Sequence, residues 1–348
     1  QITMASGAHD SVRAQDVCIV GVARTPLGSF LGSLSSLSAT KLGSVAIECA
    51  LKRAGVDPSM VQEVFFGNVL SANLGQAPAR QAALGAGIPD SVPCTTINKV
   101  CSSGMKATMI AAQTIRLGTN DVVVAGGMES MSNAPKYIST GRAGSRLGND
   151  TIIDGMIKDG LWDAYNDFHM GVCAEICADK YNIAREEQDS YAIRSFERSR
   201  AAESTHAFSW EIAPLEISGG RGKPSTIIDK DESLQKFNAS KLKMLRSSFK
   251  NGGSVTAGNA SSISDGAAAL VLVSGEFAVK HDLKVIARIW GFADAAQAPV
   301  MFTTAPSLAI PKAISNSGLT ASDIDFYEIN EAFSVVAIVN QRLLKIDP

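Results

Sequence analysis

The stretch best equipped for chemistry is Asn98-Lys99-Val100-Cys101-Ser102-Ser103-Gly104-Met105-Lys106. A cysteine sits in a turn of small residues, and an apolar segment with helical spacing runs from Gly104 to Leu117. Cys101 then stands at or just before a helix start, where free N–H groups and the positive end of the helix dipole favour a thiolate. The thiolate is the nucleophilic form, so the stretch points to covalent catalysis. A buried structural cysteine is the alternative reading.

A sheet must hold such a turn. Val17 to Ala23 is a continuous apolar run, as in a strand buried on both faces. Ala39 to Ala54 reads as a helix ended by Gly55 and followed by Pro58. Val61 to Asn68 reads as a strand, Gln76 to Leu84 as a helix, Cys94 to Ile97 as a strand, and Asp121 to Ser130 as a strand ending in glycines. The alternation predicts a layered α/β domain over residues 17–131, preceded by an unstructured lead-in over 1–16. Residues 132–251 change character, with loop signals, two helices (Gly171 to Tyr181, Arg185 to Ser204) and the irregular Ser218-Gly219-Gly220-Arg221-Gly222-Lys223-Pro224. They read as a loop domain laid over the core, after which 252–275 returns to the first half through the apolar run Asp265 to Val273, helix or strand.

An internal repeat supports a duplicated architecture. Ala46 to Gly55 matches Ala309 to Gly318 at an offset of 263, with Ala, Ile, Ala and Gly at the same places. The offset continues to Val61 against Ile324 and Gly67 against Asn330, and Val285 to Gly291 matches the first strand. Residues 276–348 therefore read as a second α/β half. By comparison with the first half it lacks about 50 residues of strand and helix.

The bulk numbers exclude several classes. A chain of 348 residues, 45% hydrophobic and 19% charged, buries a large core. A net charge of −2 gives no nucleic-acid or membrane-binding surface, and no apolar run reaches the ~18 residues of a membrane span. The densest basic cluster, Lys236 to Lys250, fits either a solvated face or an anionic ligand. Six cysteines in so long a chain, without a paired metal-ligand pattern, read as reduced thiols with no metal site.

Five motifs in order carry a resemblance to the thiolases, within them to the biosynthetic, cytosolic, acetoacetyl-CoA-forming type. They are Asn98 to Gly104, Ala125 to Ser132, Gly160 to Asp163 with Asp167 to Gly171, Thr256 to Ser261 with Asp265 to Ala269, and Glu328 to Phe333. The resemblance implies two α/β halves in a five-layered α-β-α-β-α sandwich, with the loop domain holding coenzyme A. It implies Cys101 as the residue acylated by acetyl-CoA, and Asn330 as holder of an oxyanion-binding water. A helix N-cap is the other role open to Asn330. It places Leu161, His169 and Met170 along the pantetheine and acyl pocket, Ala257 and Ser261 against the pantetheine arm, and Ala332 and Phe333 in its tunnel. Lys236 and Lys241 fall near the nucleotide end, where a cation suits phosphate. Substrates would be acetyl-CoA, acetoacetyl-CoA and free CoA, with no separate cofactor required, in a homotetramer of cytoplasmic location.

Thiolases also carry a histidine in a Gly-His-Pro segment and a second cysteine, both downstream of Asn-Glu-Ala-Phe. Neither occurs in these 348 residues. The alternatives are a 3-ketoacyl-CoA thiolase of broader chain length and a homologue that binds CoA esters without turning them over.

Overall fold

A computed structural model describes residues 12–142, 144, 147–220, 222 and 224–347. Its centre is a mixed sheet in which alternate residues serve opposite faces. The strands are β1 (Val17–Arg24), β2 (Gly28–Ser29), β3 (Glu63–Gly67), β4 (Cys94–Ile97), β5 (Val122–Ser130), β6 (Ser264–Ser274) and β7 (Ala287–Arg288). Across the sheet they run β7-β1-β6-β5-β3-β4, with β2 also on β6. β5, β3 and β4 are parallel, while β6 is antiparallel to both β1 and β5.

Helices α1 (Ala39–Ala54) and α2 (Pro78–Gly85) cover one face. Leu42, Ala46, Ile47, Ala50 and Leu51 of α1 pack there with Val64, Phe66, Val122 and Val124. Helix α3 (Ser103–Arg116) covers the other, its Ala107, Ala111, Ala112 and Ile115 meeting Phe65, Val123, Ala125 and Leu272. Consecutive residues of β3 and β5 thus enter different cores, as a period of two demands. Each large side chain so buried contributes about 1.5–3 kcal/mol. Ser38 caps α1 by accepting the Lys41 N–H, and Gly55 ends it in the left-handed conformation at φ +67°. Its repeat partner Gly318 is also left-handed, at φ +76°. Both positions close a helix in a geometry that glycine adopts without strain.

The loop domain contributes α4 (Met170–Tyr181), α5 (Arg185–Ser204), α6 (Glu232–Gln235) and α7 (Ala239–Lys243). Beyond β6 come α8 (Gly275–Lys280), α9 (Ala305–Asn316) and α10 (Ser334–Leu344). Helix α10 buries Val335, Val336, Ile338 and Val339 against Ala174, Cys177 and Ala178 of α4. Arg24 bolts the loop domain to the sheet. It donates to Glu211 at 2.6 Å and with both terminal nitrogens to Asp231, at 2.8 and 3.0 Å.

Several expectations change. The second-half strand at Val285 to Gly291 shrinks to β7, which joins the edge of the first sheet beside β1. Ile324 to Asn330 carries no regular secondary structure and no strand partner, and among the described residues the sheets beyond the central one are three two-stranded pairs, none of them in the second half. A strand needs a neighbour to take its N–H and C=O groups, and the elements flanking this one are helices. The run Asp265 to Val273, ambiguous in sequence, is the strand β6, because β1 and β5 accept it from both sides. Of the expected lead-in, residues 1–11 lie outside the described residues. Residues 12–16 form a turn rather than a loose segment: Asp16 accepts the Arg13 N–H and pairs with Arg288 at 3.0 Å. Arg221 and Lys223 of the irregular glycine segment also lie outside the described residues.

Candidate active site

Three backbone features bring Cys101 into the open. Strand β4 ends at Ile97, α3 starts at Ser103, and the residues between form a tight turn. Ser103 Oγ accepts the Lys99 N–H at 2.8 Å and donates to the Val100 carbonyl at 2.6 Å. Asn98 Oδ1 accepts the Val100 N–H at 3.1 Å. Val100 is held at φ +50°, a left-handed conformation that is costly for a β-branched residue. Such stored strain clusters where a side chain must be aimed.

The exposed Cys101 lines a cavity of about 610 Å³. Its other walls include Asn68 to Leu70, Gly127 to Glu129, Leu161, Ala267 and Asn330. The protein packed around it pushes the Cys101 thiol up from its ordinary 9.0, against a lowering contribution from its own backbone N–H. Against the expected helix-start thiolate, these surroundings favour the thiol. Cys101 precedes the first helical residue by two positions, and the raising effect of the surrounding protein exceeds the lowering one of its backbone N–H. The nearby cations Lys99 and Lys106 are both paired with Asp294. No histidine is among the described residues lining this cavity.

A second cavity of about 380 Å³ shares Arg24, Leu27 and Asn330 with the first. It is the more polar of the two, and Ser195, Asn259, Ser261 and Glu331 contribute to its wall. The structure therefore brings Cys101, Leu161 and Asn330 to one cavity, and Asn330 and Ser261 to its neighbour. His169 caps α4, its Nδ1 accepting the Gly171 N–H at 3.0 Å, and burial lowers its pKa so that the ring is neutral. Met170 follows as the first residue of α4. His169 stacks on Phe249 at 4.7 Å, and Phe333 meets the same ring edge-on at 6.2 Å. The Ala332 carbonyl accepts the Ser261 N–H at 2.9 Å. Ala257 and Lys241 are exposed and Lys236 is paired with Glu232 at 2.7 Å, and none of the three lines either cavity.

Sequence reasoning missed three residues. Phe249 joins two candidate positions, yet in sequence it is a lone aromatic in a basic run. Arg24 lines both cavities, and its partners lie 187 and 207 residues away. Glu129 accepts from Asn68 Nδ2 and from the N–H groups of Val69 and Leu70, which fixes that wall of the Cys101 cavity. Burial raises its pKa in spite of those donors. Among the described residues no cluster of three or more His, Cys, Asp or Glu could hold a metal ion, and no helix is long and apolar enough to cross a membrane.

Family models for the thiolase N-terminal domain and the thiolase C-terminal domain match residues 17–276 and 283–348. Acetyl-CoA acetyltransferase 1 of Arabidopsis thaliana is 72% identical over 342 residues, covering 98% of this chain and 82% of the relative. A fungal relative from Gibberella zeae, named as a cytosolic acetyl-CoA acetyltransferase, is 54% identical over 95% of this chain and 84% of its own length. The crystal structure of Acat5 thiolase from Ascaris suum in complex with coenzyme A superposes with a TM-score of 0.90 at 42% identity. It covers 96% of this chain and 85% of the other.

Proposed function

The chain belongs to the thiolase family, with its α/β thiolase fold, and we propose that it is an acetyl-CoA C-acetyltransferase working through Cys101. One observation carries the reading: a strained turn presents Cys101 to a cavity that Leu161 and Asn330 also line. The relatives' names supply the substrate class.

In this reading the Cys101 sulfur attacks the carbonyl carbon of acetyl-CoA, and the CoA thiolate leaves as the Cys101 thioester forms. A second acetyl-CoA loses a proton from its methyl carbon. That carbanion attacks the acetyl carbonyl, a C–C bond forms, the bond to Cys101 breaks and acetoacetyl-CoA departs; the freed Cys101 sulfur regains a proton equivalent to that lost by the methyl carbon, as the departing CoA thiolate takes up that of Cys101. Asn330 holds the water that stabilises a developing oxyanion. The neutral His169, with Met170, Ala332, Phe333, Ala257 and Ser261, lines the pantetheine path, and Phe249 is added to that set because its ring stacks on His169 and meets Phe333 edge-on. Lys241 and Lys236 serve the phosphates, Lys236 exchanging Glu232 for them. With the thiol raised, Cys101 needs a base to take its proton, and no histidine is among the described cavity residues. Coenzyme A thioesters enter as substrates and no further cofactor is required. The reading extends to a cytosolic homotetramer, the location supported by the name of the fungal relative.

Iodoacetamide labelling of Cys101, with and without acetyl-CoA, tests nucleophile and site together. Protection of Cys101 and loss of thiolysis in Cys101→Ser are expected. Unprotected labelling, or unchanged thiolysis of acetoacetyl-CoA by Cys101→Ser in the full-length protein, overturns the reading. A preference for an eight-carbon 3-ketoacyl-CoA over acetoacetyl-CoA replaces it with the longer-chain one.

A further inference from the structure

The segment that carries Asn330 arrives without a strand partner and is then seized. Residues 324–329 have no strand partner. Immediately afterwards the Ser261 N–H donates to the Ala332 carbonyl at 2.9 Å, and the Ser334 N–H to the Asn259 carbonyl at 2.8 Å. Between these features lies Glu331. One carboxylate oxygen accepts from Tyr191 Oη at 3.0 Å and the other from Ser195 Oγ at 2.7 Å. Tyr191 and Ser195 stand one turn apart on α5, so a single helix face offers both donors. Among the described residues, these are the side-chain hydrogen bonds made between 328–333 and the loop domain.

We propose that Glu331 is a positioning residue: gripped by Tyr191 and Ser195, its carboxylate orients Asn330 into the Cys101 cavity and couples α5 to the oxyanion site. Hydrogen bonds to a carboxylate are roughly twice as strong as neutral ones, and here both oxygens of a solvent-exposed carboxylate are held, at 3.0 and 2.7 Å. Adjacent Cα atoms lie about 3.8 Å apart, so fixing Glu331 leaves Asn330 little room to swing. Asn330 and Glu331 both line the second cavity, and Asn330 alone of the two reaches the first. Burial and the neighbouring Glu331 charge push the Tyr191 phenol up to about 12, which keeps it a donor across the working pH range. The inference rests on the oxyanion role proposed for Asn330.

A double-mutant cycle on the full-length protein tests it, with Tyr191→Phe/Ser195→Ala on one arm and Asn330→Ala on the other. The hydroxyl-free variant is expected to lose kcat on the order of tenfold, while KM for CoA moves less than about threefold. In the Asn330→Ala background the same two substitutions are expected to cost less than about twofold more, because what they position is gone. Glu331→Gln is expected to stay within about threefold of the parent, its amide accepting from Tyr191 and donating to Ser195. Additive losses around the cycle, or a raised KM with kcat unchanged, overturn the proposal. An Asn330→Ala variant with unchanged kcat instead overturns the oxyanion reading beneath it. Thermal melts accompany every variant, and where the double substitution has melted at the assay temperature, Ser195→Ala alone runs the same cycle.

Discussion

Substituting Gly67→Ala attacks the placement of Cys101 without touching it. Gly67 ends β3, beside Ile97 of β4 and Gly127 of β5. A Cβ there would lie 2.7 Å from the Gly104 nitrogen and 2.8 Å from the Ser103 carbonyl carbon. Both are backbone atoms in the first turn of α3, so no side chain can rotate away. Relieving the overlap moves the helix start, and with it the cysteine turn, by roughly 0.5–1 Å. Overpacking of this kind costs about 1–3 kcal/mol. For a chain of this length a loss of ~2 kcal/mol lowers Tm by roughly 3 °C. Displacing a nucleophile by ~1 Å costs on the order of 10²-fold in rate. The expected signature is therefore a small fall in Tm with a large fall in kcat for thiolysis. Gly55→Ala is the control, since nothing lies within 4 Å of its Cβ position. It incurs only the ~1 kcal/mol of a left-handed alanine and keeps its kcat. A folded Gly67→Ala protein with parental kcat would refute the packing argument.

Two further outcomes follow from charges at the base of the loop domain. Arg24→Met is expected to destabilise the protein by about 3 kcal/mol in urea titration, because Asp231 and Glu211 lose the half-buried guanidinium between them. A change under 1 kcal/mol would show that solvent already screens the trio. The Glu232 carboxyl is raised by burial, but Lys236 and the Ser33 and Ser29 N–H groups outweigh that and bring it to about 2. A carboxyl depressed from 4.5 adds stability above that pH and loses it as pH falls toward 2. Glu232→Gln should accordingly flatten the acid limb of a stability–pH curve between 4.5 and 2, and an unchanged limb would reject the assignment.

What could be read from the sequence was local; what could not depends on distant segments. Helices α1 and α5 run from Ala39 to Ala54 and from Arg185 to Ser204, as expected from the sequence, α1 ending at the glycine that marked its end. Strand β4 likewise runs from Cys94 to Ile97 as expected. The run around Val271 could not be assigned from its own residues, because an apolar stretch of that length suits a helix or a doubly covered strand. Only its pairing with β1 and β5 decides. The same distinction applies to Cys101. Its place at the head of α3 was legible from the small-residue turn and the helical spacing after it. The upward push on its pKa was not, since its surroundings are built from chain segments brought together by the fold, with Asn68 to Leu70, Leu161 and Asn330 lining the same cavity. A helix end was expected to stabilise charge on the sulfur, and the cavity opposes it. The pairing of Lys99 and Lys106 with Asp294 tips the balance further, because the cations adjacent in sequence are already engaged. A thiol so placed is well aimed but has its pKa raised by its surroundings, and its reactivity depends on a base that takes its proton.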